Sequence, residues 1–156
     1  MMTSCSLGGG RIFVSSEYKI ADARLDQILS AIKDEDKEAL KGLFSKQVLD
    51  EIKDFDNGTE YLFDFFQGNV KSYERDKWSS SESVEHGKKA IIIRSWYTVS
   101  TDKDNYLFFV IDYTEDTINP DNAGLYTLRV IKAEDRETEF GFWQDMAMPG
   151  IYKPKE

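Results

Sequence analysis

The chain has 156 residues, of which 29 are acidic and 20 are basic, so its formal net charge is −9. This length predicts one domain that buries a core without disulfides or metals, and the scattered Lys and Arg residues exclude the clustered positive surface that nucleic acid requires. A single Cys excludes a disulfide framework and a cysteine-rich zinc site, and no apolar run is long enough to cross a bilayer. We therefore expect no metal, no cofactor and no nucleic-acid partner.

Residues 1–15 are rich in small side chains and are expected to form a disordered tether or the remnant of a signal peptide, before one domain over 16–156. The stretch Met2–Cys5 resembles the end of a bacterial lipobox, in which an apolar residue and two small ones precede a Cys that becomes lipidated. These residues lack the charged and apolar regions of a signal peptide. Two interpretations stay open: Cys5 is a lipid-anchor site with the following glycines as its tether, or it is an inert thiol in a flexible terminus.

Helical spacing begins at Ser16, from which apolar residues recur at intervals of three and four. This pattern predicts an amphipathic helix with one face toward the core, and Ser16 is placed to cap its first turn. The acidic run 34–36 supplies a cap for the next helix. Apolar positions from Leu40 to Ile52 predict a second helical segment that is interrupted near Ser45.

Residues 54–58 are expected to form a turn. They resemble a calcium-binding loop, but Gly58 comes one position too early and no Glu closes the ligand set. Thr59 is expected to begin a third, short helix that Gly68 ends, because glycine suits the helix C-terminus. Four aromatic residues within Tyr61–Phe66 are typical of a core plug, since each ring buries a large area.

The second half of the chain predicts a sheet. Residues 70–78 alternate charged and large side chains, which favours a half-solvated edge strand, and the serine run 79–83 is interpreted as a bulge or loop. Three apolar runs rich in β-branched and aromatic residues then predict consecutive antiparallel strands. These runs are Ala90 to Ser100, Tyr106 to Tyr113 and Leu125 to Ile131.

Short motifs give the chain a family resemblance. They are Leu43–Ser45, Leu62–Gly68 with Ser72–Glu74, Asn122–Leu125 and Pro149–Tyr152. With the order of elements, they resemble the nuclear transport factor 2-like (cystatin-like) superfamily, and more specifically a family of bacterial secreted lipoproteins described only as a domain of unknown function. The resemblance implies an α+β fold in which N-terminal helices pack on a curved, cone-like, four-stranded antiparallel sheet. It also implies a tethered extracellular location, and it implies no established activity.

The enzymes of this superfamily, as the resemblance implies, use an inward Asp or His base beside a Tyr or acid donor. Strand alternation predicts which side chains point inward, and it places Leu107, Phe109 and Ile111 toward the helices. No inward carboxylate or His is then expected on these strands, and His86 lies in a charged turn, so we assign no catalytic residue. The inward polar groups are candidates for a ligand pocket: Ser95, Tyr97, Tyr113 and Tyr126.

The opposite face of the sheet is predicted to be too apolar for open solvent. Two interpretations stay open: this outer face is an interface, for example in a homodimer, or the C-terminal segments Phe140–Trp143 and Met146–Tyr152 fold back over it. The candidates for the interface are Arg94, Trp96, Phe108, Val110, Asp112 and Arg129.

These patterns, together with the location that the resemblance implies, favour a non-catalytic extracellular binding or interaction module, with Cys5 as the candidate site of a lipid tether to the bacterial cell membrane. Its ligand is not specified by the sequence. The alternative is a small-molecule pocket enzyme of the isomerase or hydratase class that uses Tyr97 or Tyr113.

Overall fold

The computed structural model describes residues 9–139 and 148–153, with side chains over 17–138 and 148–153. Four helices come first: α1 spans Gly9–Lys33, α2 Lys37–Leu43, α3 Lys46–Glu51 and α4 Phe55–Phe65. Helix α1 thus begins seven residues before Ser16, which lies inside the helix and is not its cap. Among the described residues, no helix has the length and apolarity needed to cross a membrane.

The predicted cap before α2 is confirmed, and a second cap starts α3 at the predicted interruption. The Asp36 carboxylate accepts a hydrogen bond from the Ala39 backbone N–H at 3.0 Å and starts α2. The Ser45 hydroxyl accepts one from the Val48 N–H at 3.2 Å and starts α3. Each cap satisfies a backbone donor that the first helical turn leaves without a partner, and so the interruption near Ser45 follows from local chemistry.

Helix α4 corrects the predicted turn at 54–58, because it already begins at Phe55. Gly58 lies inside the helix and is buried, and a Cβ there would sit 3.1 Å from the Ile151 carbonyl oxygen. The glycine therefore permits close contact with the C-terminal part of the chain. Gly68, with a φ of +96°, follows the helix end as predicted.

The sheet has five strands in the order β1 to β5, where β1 spans Val70–Glu85, β2 Lys88–Thr101, β3 Asn105–Asp116, β4 Gly124–Lys132 and β5 Gly150–Ile151. The first four are antiparallel neighbours, whereas β5 is parallel to β4. The predicted α+β class is confirmed, and the four-stranded antiparallel sheet is corrected to a five-stranded mixed one. Strand β1 also runs through the serine run 79–83, for which the sequence alone predicts a bulge or loop.

The strand register reverses the predicted orientation of β3. Ser100 pairs with Asn105, so four residues form the loop between them and Tyr97 lies opposite Phe108. Residues that pair directly share a face of the sheet; therefore the odd positions of β2 join the even positions of β3. Phe108 and Val110 pack in the helix-facing core, and Asp112 contacts α1. Their predicted outward orientation is wrong.

The outer face carries the odd positions of β3 instead. Phe109 and Ile111 pack there with Trp96, and Tyr113, predicted inward, packs against them. All three central residues are buried within one chain, with Trp96 only 6% exposed. Arg129 is also buried and its guanidinium lies 4.0 Å from the Tyr152 ring centre.

Burial of the outer face argues against a homodimer across it, and that interface stays a prediction. Of the segment predicted to fold back, residues 140–147 lie outside the described residues. The part that follows runs beside β4: the Thr127 hydroxyl donates to the Met148 carbonyl at 2.7 Å, and Gly150 and Ile151 pair with β4 as β5.

Candidate functional site

Charged side chains of α1 reach the sheet within little more than one helical turn: Asp22, Arg24 and Asp26. Asp22 accepts two hydrogen bonds at one carboxylate oxygen, from the Tyr97 hydroxyl at 2.7 Å and from the Arg75 guanidinium at 2.6 Å. The guanidinium also stacks over the Tyr18 ring at 4.3 Å. The negative charge of the Asp22 carboxylate is thus neutralised by Arg75, and the carboxylate also accepts a hydrogen bond from the Tyr97 hydroxyl. We call this arrangement the Asp22–Tyr97 pair.

Tyr97 was predicted as an inward pocket residue, and it does face the helices in the main core. Its side chain is fully buried. Burial, and next the hydrogen bond and negative charge of Asp22, raise the pKa of the Tyr97 hydroxyl well above its usual value. The hydroxyl therefore stays protonated and bound to Asp22, so it acts as a structural donor between α1 and β2.

A second contact between α1 and the sheet joins Arg24 to Asp112. The two side chains meet at 2.8 Å, and Asp112 is almost wholly buried. Burial raises the pKa of the Asp112 carboxyl, and the neighbouring Arg24 guanidinium offsets part of that rise. Sequence reasoning missed this inward carboxylate because it placed Asp112 on the other face; the signal that could have found it is the loop of four residues between β2 and β3.

A groove of about 800 Å³ opens beside the C-terminal half of α1. Its walls come from α1, the end of α4 and the start of β1. Three apolar side chains, Leu29, Ile32 and Phe66, are buried and form its floor, while Phe63 and Tyr73 are half-buried in its walls. The whole lining is Asp26, Leu29, Ser30, Ile32, Lys33, Glu35, Phe63, Asp64, Phe66, Gln67, Gly68, Asn69, Val70 and Tyr73.

The rim of the groove is negatively charged. Asp26, Glu35 and Asp64 contribute carboxylates, and Lys33 contributes the one ammonium group of the lining. Asp26 lies beside Tyr73, whose pKa is raised by burial and next by the charge and hydrogen bond of Asp26. The Tyr73 hydroxyl therefore remains a neutral donor, and its ring packs edge-on against Tyr97 with centroids 5.7 Å apart.

The structure does not bring the predicted pocket residues to this groove. Ser95 is buried, and the Tyr113 and Tyr126 rings contact each other, with centroids 6.0 Å apart, in the outer cluster. Arg94 is half-buried on β2 opposite Ile111. The aromatic segment predicted as a core plug does contribute to the groove, with Phe66 in the floor.

Comparison with known families gives one result that covers most of the chain. The sequence model described as "Domain of unknown function (DUF5104)" matches residues 27–133. The chain belongs to this family. The match confirms the predicted membership of a family of unknown function, and a search of curated proteins gives no match.

Within the DUF5104 domain, two motifs that carried the resemblance touch each other. Phe44 forms a parallel β-bridge with Leu125, and the Ser45 N–H donates to the Leu125 carbonyl at 3.1 Å. Gly124 has a φ of +127°, and a Cβ there would lie 2.8 Å from the Ser45 nitrogen. Glycine is therefore required for the helices to reach the edge of β4.

A third motif of the DUF5104 domain, Leu62–Gly68, supplies one wall of the groove. The groove can accept a small molecule, since its volume is in the range of ligand pockets and buried apolar side chains form its floor. Across the described part of the chain, no group of three or more His, Cys, Asp or Glu residues is placed to hold a metal ion.

Proposed function

We propose that the chain is a non-catalytic binding module whose groove binds a small ligand with an apolar body and a cationic group. The observation that carries the proposal is the combination of a buried apolar floor with a rim of three carboxylates and one ammonium. An apolar body gains free energy by leaving water at Leu29, Ile32 and Phe66. A cation near the exposed carboxylates of Asp26 and Asp64 gains a modest Coulomb energy.

Matched indole probes test the proposal. Tryptamine and indole-3-acetate share the indole ring system and carry opposite charges on short side chains, so together they separate the contribution of the charged group from that of the ring. We expect tryptamine to shift the backbone amide signals of Ser30, Phe66 and Tyr73 in a saturable NMR titration, and indole-3-acetate to shift them less. Glu38, exposed on α2 and outside the groove lining, supplies a control through Glu38→Gln, which should bind like the wild type. Equal shifts with both probes, or none with either, would contradict the proposal.

A second function, a pocket enzyme of the isomerase or hydratase class, is favoured by one observation. A carboxylate and a neutral tyrosine, Asp26 and Tyr73, line the same groove, as a base and a donor require. The predicted donors Tyr97 and Tyr113 do not line it. Deuterium exchange into 2-indanone, a carbon acid with an apolar ring, separates the two functions: an enzyme accelerates the exchange and loses this effect in Asp26→Asn, whereas a binding module does not accelerate it.

We also propose a more specific fold than the α+β class, namely that of the nuclear transport factor 2-like superfamily. Helices α1 to α4 precede the long antiparallel series β1 to β4, and they pack on one of its faces. The short parallel strand β5 departs from a purely antiparallel cone.

The module is also proposed to act outside the bacterial cell, held to the membrane by a lipid on Cys5. The support is the lipobox-like stretch Met2–Cys5, which lies outside the described residues. Mass spectrometry of the N-terminal peptide from the membrane fraction tests this: we expect a diacylglyceryl adduct on Cys5 that Cys5→Ser removes. An unmodified thiol in protein recovered from the cytoplasm would contradict it.

A further inference from the structure

The free edge of β1 is the one long strand edge that the described sheet leaves without a neighbour. Strand β1 pairs with β2 on one side and ends the strand order on the other. Residues 79–85 are all exposed in the described part of the chain, and α1 contacts this stretch through Glu17, which accepts a hydrogen bond from the Ser80 hydroxyl at 2.9 Å. Such an edge presents backbone N–H and C=O groups that can pair with another strand.

This edge lacks the usual protection against pairing. Natural edge strands carry bulges, prolines or several charges. Both irregularities of β1 lie before Lys77, and the stretch 78–84 contains no proline, no glycine and only one charge, Glu82. Val84 adds an unprotected apolar side chain to this edge, since it is 70% exposed.

We propose that the β1 edge pairs antiparallel with the β1 edge of a second copy of this chain, around a two-fold axis at Ser81. In that register, Trp78 lies opposite Val84 of the second copy on the helix-facing side. Lys77 lies opposite Glu85 of the second copy on the outer side. The axis repeats each contact, so the interface contains two apolar pairs and two ion pairs. Directly opposite side chains of an antiparallel pair lie about 5 Å apart, close enough for both kinds of contact.

The neighbouring registers are worse. In a continuous sheet each side chain stays on its own face, so the two copies can slide past each other only in steps of two residues. Each such step moves the two-fold axis by one residue. With the axis at Ser80, Glu82 lies opposite Trp78 and Lys77 lies opposite Ser83. With the axis at Glu82, the two copies of Glu82 face each other, which is unfavourable. The sequence of this edge is thus complementary to itself in one register.

The proposed contact is distinct from the predicted interface on the outer face, whose central residues are already buried. It also does not involve the groove, so binding in the groove and pairing at the edge can succeed or fail independently. The interface is a strand edge and small, so we expect a reversible dimer that depends on protein concentration.

Disulfide trapping tests the register. In a Cys5→Ser background, Ser81→Cys places two thiols opposite each other at the axis, at a Cα separation of about 5 Å that a disulfide can span. Ser79→Cys and Ser83→Cys are matched controls, since both serines are exposed on the same face. Each control cysteine lies opposite a serine of the second copy and is about 13 Å from its own counterpart. We expect air oxidation to convert Ser81→Cys to a covalent dimer at least ten times faster than either control.

Charge exchange tests the ion pairs by sedimentation equilibrium. Lys77→Glu or Glu85→Lys alone replaces two attractions by two repulsions and should raise the dimer dissociation constant about tenfold or more. The double variant restores opposite charges and should return the constant to within about twofold of the wild type. Equal cross-linking of all three cysteine variants, a monomer at every concentration, or a double variant as weak as the single ones would overturn the proposal.

Discussion

Two carboxylates that lie one helical turn apart on α1 each pair with a tyrosine of the sheet, and the two pairs have different surroundings. Asp22 binds the buried Tyr97 hydroxyl and the Arg75 guanidinium through one carboxylate oxygen, so it connects α1 to two strands of the sheet. Asp26, beside the half-buried Tyr73, borders an open groove. The same residue types therefore serve two purposes, since the first pair joins the helix to the sheet and the second is accessible to a ligand. Changes at the two pairs should separate stability from binding.

The largest loss of stability is expected at the buried ion pair between Arg24 and Asp112. Arg24→Met leaves the Asp112 carboxylate buried without its cation, and at pH 7 the free energy of unfolding should fall by about 3 kcal/mol. Burial raises the pKa of Asp112, and loss of Arg24 raises it further. The deficit should therefore be small below the unfolded pKa of 3.8, where the carboxyl is protonated, and should grow as pH rises through the folded pKa.

Urea unfolding at several pH values checks this. The matched control is Lys46→Met, which breaks the exposed pair with Asp50 and should leave the free energy of unfolding unchanged within error. A deficit of Arg24→Met that does not vary with pH would mean that lost packing, and not the carboxylate, is responsible.

A smaller effect is expected at the tyrosines. Tyr97→Phe removes the hydroxyl that donates a hydrogen bond to Asp22, and it should lower the free energy of unfolding by about 1 kcal/mol at neutral pH. Tyr73→Phe, at the groove, should cost less than about 0.5 kcal/mol. The pKa of Tyr97 is raised above its ordinary 10.0, so its contribution is present below pH 10 and is lost as pH rises through the folded pKa.

Denaturant unfolding at pH 7 and at alkaline pH measures both variants. The gap between wild type and Tyr97→Phe should shrink at alkaline pH, and the gap for Tyr73→Phe should stay small. If both substitutions cost the same at pH 7, the two pairs do not differ as described.

Local chemistry could be predicted from the sequence. The caps at Asp36 and Ser45 depend on residues within three positions, and strands β2 to β4 follow from three apolar runs. The α+β class followed from the order of these elements. Each of these features depends on neighbours along the chain.

Long-range geometry could not be predicted in the same way. The number of residues in the loop between β2 and β3 decides the face of every β3 side chain, and a shift by one residue reverses them all. Gly58 predicts a turn locally but lies in a helix, where the absence of a side chain leaves room for Ile151 from the far end of the chain. The groove joins three separate segments, so neither Asp26 nor Tyr73 stood out in the sequence.

The most direct test of the central claim compares tryptamine binding by Asp26→Asn and Asp22→Asn in the same NMR titration. Each substitution removes one negative charge from α1 and keeps the side-chain shape, so they differ only in which pair they alter. We expect Asp26→Asn to weaken tryptamine binding about threefold or more and Asp22→Asn to bind like the wild type. Equal weakening by both variants, or unchanged binding by Asp26→Asn, would contradict the assignment of the groove as the binding site.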